Sequence, residues 1–198
     1  MAAGKSLIIG CGALAREIVA LLGRQEGGRV ALTCLPAIWH NRPQLIPEGV
    51  RGKIREGRRQ GYERIFVAYG DCGTGGLLDR VLEEEGAERI VGDHCYAFFR
   101  GVEAFNEAHF DDPTCFYLTD YLVRHFERLI VRALWIDRHP ELLEQYFGHY
   151  TRLVYLAQTQ DPALDRQARA AAERLGLAYE RLDVGMGELA RFVERAAA

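Results

Sequence analysis

Short apolar runs alternate along this chain with longer stretches of helical periodicity, and that alternation limits the fold more than any other feature. "SLIIG" at 6–10, "RVALTCLP" at 29–36, "RIFVAYG" at 64–70, "ERIVG" at 88–92, "RLVYLAQ" at 152–158 and "LAYERLDVG" at 177–185 read as strands. Between them lie helical patterns. Leu14, Ile18, Leu21 and Leu22 share a face after the first run, with "GRQEGG" as its stop. Leu77, Leu78, Val81 and Leu82 share another after the third. A polar, basic helix is expected from Glu48 to about Arg59, and a closing helix from about Glu188. "DPALDRQARAAAERLG" has an Asp start, Pro in the first turn and Gly at the stop, which is complete helix punctuation. Strands alternating with helices give an α/β protein with a mostly parallel sheet and helices on both faces. "YAFFRGVEAFNEAHF" reads as one helix, with Phe98, Val102 and Phe105 in register. Thr119 to Tyr150 reads as all helix, an insertion at about 119–150 within one α/β domain over 1–198.

The formal net charge of -3 gives no footprint for nucleic acid or an anionic membrane. No apolar run approaches the roughly 20 residues that span a bilayer. The N-terminal "MAAGKSLIIGCGALARE" leads straight into a charged helical pattern, unlike a signal peptide, so a cytoplasmic protein is expected. The five cysteines are an odd number, and a reducing compartment favours metal binding or thiol chemistry over structural disulfides.

Three of those cysteines echo one another. In "IIGCG", "AYGDCG" and "VGDHC" a cysteine follows closely on a glycine that ends an apolar strand. Parallel strands point their C-termini to one edge, and ligands bind in the crevice outside it. If the strands are neighbours, Cys11, Cys72 and Cys95 converge there. Cys11 and Cys72 would also head helices, where the dipole favours a thiolate. Cys34 lies inside a strand run and Cys115 begins "CFYLT"; both are expected to be buried small hydrophobes.

Three thiolates around one point repel, and a cation removes that cost. Zinc with three protein ligands and an open position is one solution, and a [4Fe–4S] cluster on three cysteines is another. His40, in "WHNRP" after the second strand, would reach the same edge as a fourth ligand or an acid–base group. Asp71 is a further donor beside Cys72, and His94 beside Cys95 is a poorer one, because adjacent side chains of an extended segment diverge. Gly12, Gly73 and Gly75 would let the backbone approach whatever is bound. No C-x-x-C pair supports the metal reading.

Other readings stay open. "GCGALA" fits a dinucleotide fingerprint, but no carboxylate ends the second strand. "GDCGTGG" could cradle an oxyanion, though it lacks the Lys-Ser/Thr ending of a P-loop. Cys72 could be a lone nucleophile, with His40, His94 or His125 as its base.

Together "CGALARE", "LPAIWHNRP", "FVAYGDCGTGGLLDRVL", "GDHCYAFF", "FYLTDYLVRHF" and "YFGHYTRLVYLAQ" resemble a domain-of-unknown-function family of bacteria and archaea. The resemblance covers nearly the whole chain. Members are often encoded beside corrinoid proteins and corrinoid-dependent methyltransferases. The family pattern carries cysteine at Cys11, Cys72 and Cys95 and histidine at His40, and lacks Cys34 and Cys115. The resemblance implies a role in one-carbon metabolism with a small-molecule substrate. A corrinoid protein or corrinoid methyltransferase is the implied partner. The role would be that of a metal-dependent enzyme, or of an accessory or metal-delivery protein.

Overall fold

The computed structural model describes residues 4–24 and 30–198. Most of the expected "GRQEGG" stop and Arg29 lie outside the described residues, as do the first three residues of the chain. The chain divides into two compact units, residues 4–98 with 186–198, and residues 99–185. The expected parallel sheet is realised as two, one in each unit.

The first unit holds strands β1 (Ser6–Cys11), β2 (Val30–Leu35), β3 (Arg64–Ala68) and β4 (Glu88–Arg89), in the order β2-β1-β3-β4 and all parallel. β1 is central and buried along its whole length. Strand alternation explains why helices cover both faces. Leu7, on one face of β1, lies under Gly57 of α2 (Ile46–Arg59), where an added methyl would stand 2.5 Å from it. Gly10, on the other, faces Ile18 of α1 (Ala15–Leu22). Phe66 pairs with Ile8 on that second face and meets Phe192 of the last helix, α9 (Gly187–Ala197), edge to face at 5.8 Å. Helix α3 (Leu77–Glu85) packs beside α2, where Glu85 accepts from Arg51, Arg55 and Arg58.

The second unit holds β5 (Cys115–Thr119), β6 (Arg152–Ala157) and β7 (Ala178–Asp183), parallel and in that order. The 14-residue α8 (Pro162–Leu175) joins β6 to β7 with the expected punctuation. Asp161 accepts from the Ala163 amide at 2.9 Å, and Gly176 closes the helix with φ 71°. Leu118, Leu153, Tyr155, Ala168 and Ala172 are buried in the core beneath it.

Three expectations change here. β5 is not among the expected strands, because "CFYLT" is five residues long and runs directly into helical sequence. The stretch to Tyr150 breaks into α6 (Asp120–Arg124), a π-helical turn over Glu127–Val131, irregular turns, and α7 (Leu142–Phe147). "YAFFRGVEAFNEAHF" likewise breaks into α4 (Ala97–Arg100) and α5 (Val102–Asp111) at Gly101, whose φ of 97° no helix accommodates. Among the described residues no helix is long and apolar enough to cross a membrane.

Candidate three-cysteine centre

The strand order fixes where a ligand can sit. β2 lies to one side of β1 and β3 to the other, so the chain reverses direction across the sheet between β1 and β3. In such sheets the loops that leave those two strands diverge and open a crevice at their C-terminal ends. Cys11 is the last residue of β1, and Cys72 lies four residues past β3. Cys95 follows β4, the next strand over.

The loops after β3 and β4 are bound to each other. The Asp71 amide donates to Gly92 O at 2.9 Å and the Cys72 amide to Asp93 O at 2.7 Å. Arg89 anchors the second loop by donating to the carbonyls of Ile90 and Gly92 while its guanidinium forks onto Asp79 of α3 at 2.6 and 2.9 Å. The Asp71 carboxylate organises the first loop. It accepts from Thr74 Oγ1 at 2.6 Å, Gly76 N at 2.9 Å and Gly75 N at 3.1 Å. Burial alone would raise its pKa; these donors outweigh that and hold it below the usual carboxylate range. Gly73 and Gly75 take φ of 83° and 62° in this turn. Gly12 fits a close approach of another kind, since a methyl there would meet Leu35 O at 3.0 Å.

The result is a contact between thiols. Cys72 Sγ and Cys95 Sγ are 3.0 Å apart, and Cys95 Sγ also accepts from the Gly70 amide at 3.3 Å. Cys95 interacts with Cys11 as well, so it is the hub of the three. Hydrogen bonding with Cys11 and Cys72, together with burial, raises its pKa well above the ordinary thiol value. The same bond lowers Cys11 to about 7 against the opposing effect of burial, helped by the Ala13 amide and by Tyr69. Cys72 is lowered for the same first reason. Cys72 is also one of two described non-glycine residues with positive φ, at 50°. That conformation costs about 1–3 kcal/mol and is held by the loop pairing around it.

Sequence reasoning missed Tyr69. Continuing the β1–β3 register by one residue sets it opposite Cys11, on the same face. Tyr69 is 2% exposed and all three sulfurs act on its hydroxyl, yet that hydroxyl meets no partner in hydrogen-bonding geometry. Burial and the neighbouring sulfurs raise its pKa far above the ordinary phenol value. An unsatisfied buried hydroxyl costs about 1–3 kcal/mol.

His40 lies in the 3-10 segment Ala37–Asn41 that leaves β2 at the same sheet edge. Trp39 packs on Gly49 of α2 and steadies that segment. His40 is solvent-accessible at its surface, and surrounding protein still lowers its pKa by desolvation. His94 stacks on Tyr96 with ring centroids 4.8 Å apart. Cys34 is half-buried on β2, which differs from the expectation; burial and the nearby Cys11 raise it to about 11. Cys115 is buried as expected, donates to Asp112 at 3.4 Å and belongs to the second unit.

Zinc binds thiolates at about 2.3 Å, which sets tetrahedral sulfurs about 3.8 Å apart. At 3.0 Å the Cys72 and Cys95 sulfurs are closer than that. Among the described residues no group of three His, Cys, Asp or Glu side chains stands in a geometry ready to hold a metal ion. The donor type and the orphaned Tyr69 hydroxyl suit a bound thiophilic group, provided the sulfurs part by about 0.8 Å.

Fold and site together describe a parallel α/β protein with a candidate cysteine site at its topological switch point. The chain belongs to the DUF1638 family, described as proteins of unknown function, whose model matches residues 34–193. That span holds His40, Asp71, Cys72, Gly73, Gly75 and Cys95, whereas Cys11 and Gly12 precede it. No curated protein and no solved structure matches the chain.

Proposed function

We propose that the protein is a metal- or iron–sulfur-cluster-dependent enzyme, with Cys11, Cys72 and Cys95 as ligands and His40 as a fourth ligand or acid–base group. The observation that supports this is the contact of the Cys72 and Cys95 sulfurs, with Cys11 interacting with Cys95, past the ends of three adjacent parallel strands and beside the buried Tyr69 hydroxyl. A mononuclear ion needs a smaller parting of the sulfurs than a cubane, in which each cysteine binds a different iron. A bound ion with an open position supplies Lewis acidity and activates a substrate thiol or water. The chain's own residues prepare for it. Cys95 lies beside two thiols whose pKa values are lowered, and Asp71 holds the Cys72 loop in shape. Tyr69 offers a hydrogen bond to whatever occupies the crevice.

The resemblance described above supports the biological setting: one-carbon metabolism in the cytoplasm, a small-molecule substrate, and a corrinoid protein or corrinoid methyltransferase as partner. A metal-delivery protein would share the ligands. It would transfer its ion to the corrinoid partner and turn nothing over.

Anaerobic purification from metal-replete cells, followed by zinc and iron analysis, tests the centre. About one ion or cluster per chain is expected. It should be lost in Cys11→Ser, Cys72→Ser and Cys95→Ser and kept in Cys34→Ser and Cys115→Ser. A folded, metal-free protein with all five thiols titratable would overturn the proposal. The contact at 3.0 Å and the lowered Cys72 pKa favour a second reading, a Cys72 nucleophile. In that case alkylation labels Cys72 selectively and chelators leave the chemistry intact.

A further inference from the structure

The second unit carries a groove of about 490 Å³ between the segment after β5 and the C-terminal half of α8. Its volume falls within the usual range for small-molecule sites, roughly 300–1,000 Å³. Arg124 and Arg128 line one wall and Arg174 the other, with Val123, Phe126 and Ala171 as apolar, buried lining. The chain as a whole is acidic, with 28 Asp and Glu against 25 Lys and Arg, yet here three arginines face one carboxylate, Glu127.

The arginines are unevenly neutralised. Arg174 pairs with Glu127. Arg124 reaches the buried Asp120 only at 3.7 Å, and that carboxylate already accepts from Tyr155 at 2.7 Å and Thr159 at 2.5 Å. Arg128 meets the Tyr121 hydroxyl at 3.5 Å and forms no ion pair with a carboxylate among the described residues. His125 lies between the two in sequence, and burial, then Arg128 and Arg124, lower its pKa. The backbone is unusual at the same place. The Arg132 amide bonds to Glu127 O at 2.9 Å, five residues back, and such π-turns concentrate at functional sites.

We infer that this groove binds the phosphate group of a phosphorylated small molecule, whose apolar or planar body lies against Val123, Phe126 and Ala171. Guanidinium forks match phosphate oxygens in pairs, and two partly unpaired arginines suit a dianion better than a single carboxylate. The apolar lining gives the rest of such a molecule a place that inorganic phosphate leaves empty. The groove is built from the second unit alone, whereas Cys11, Cys72 and Cys95 belong to the first.

Calorimetric titration of the full chain at fixed ionic strength tests this, with inorganic phosphate and phenyl phosphate as probes and chloride as the control. Saturable binding of both probes is expected, with phenyl phosphate at least several-fold tighter. Arg128→Gln should weaken both at least tenfold while its melting temperature and circular dichroism stay unchanged. Cys72→Ser should bind both normally. Non-saturable binding, equal competition by chloride, or an unaffected Arg128→Gln would overturn the inference. Phenyl phosphate binding no tighter than phosphate would overturn the part that seats the apolar body.

Discussion

A methyl group on residue 70 would stand 2.9 Å from the His94 carbonyl carbon and 3.0 Å from the Cys95 nitrogen. The obstruction is backbone, which cannot rotate away as a side chain end would. Gly70→Ala should therefore displace Cys95, cost about 1–3 kcal/mol in urea denaturation, and slow diamide-driven Cys72–Cys95 disulfide formation several-fold by mass spectrometry. Asp71 invites the complementary test. Its pKa is depressed in the folded state, so its contribution is present above the unfolded carboxylate value and is lost as pH falls through the folded one. Asp71→Asn should lower stability at pH 7 by about 1–3 kcal/mol, the worth of hydrogen bonds to a charged group. The variant's deficit should shrink on acidification below about pH 4, toward the folded pKa. A deficit of constant size across that range would show that the carboxylate's charge is irrelevant to the turn.

At the scale of elements, helix α2 shows a conflict between local propensity and packing. Replacing a glycine inside a helix with alanine ordinarily stabilises by about 0.5–1 kcal/mol. Gly57 should reverse that sign, because its methyl would press to 2.5 Å on Leu7 of the fully buried β1. Gly57→Ala is expected to destabilise by about 1–3 kcal/mol, read from the shift in denaturant midpoint. The sequence made α2 and its basic face plain, while the reason for Gly57 needed the sheet beneath it. The misread stretches have similar causes. β5 abuts the stretch read as helix from Thr119, and only pairing with β6 marks Cys115–Thr119 as a strand. The π-turn at 127–131 comes from backbone bonding that side-chain periodicity does not record.

At the scale of the molecule, residues far apart in sequence complete each unit. The chain leaves the first unit near Phe98 and returns to it at Met186 for its last helix. Phe192, 2% exposed, packs on Phe66 of β3 and so belongs to the core of the first sheet. Phe192→Ala should cost about 3–5 kcal/mol. In hydrogen exchange, β1 and β3 should lose protection while β5 and β6, which have a core of their own, keep theirs. Uniform loss across both sheets would contradict a separate core for each unit.

The sequence by itself determined the local elements and one level above them. Periodicity and punctuation marked the helices, apolar runs marked most strands, and their alternation required parallel sheets, because parallel neighbours need a crossover. It also singled out three cysteines, since a residue just past a parallel strand lies at a known edge. The tertiary structure decided everything that depends on which strands are neighbours. Strand order put β1, β3 and β4 side by side and made Cys95 the hub, and register placed Tyr69 opposite Cys11. Neither order nor register is encoded within a window of chain. Both emerge from the simultaneous burial of many apolar faces, and that is why the sequence could name Cys11, Cys72 and Cys95 without showing that the Cys72 and Cys95 sulfurs would stand 3.0 Å apart.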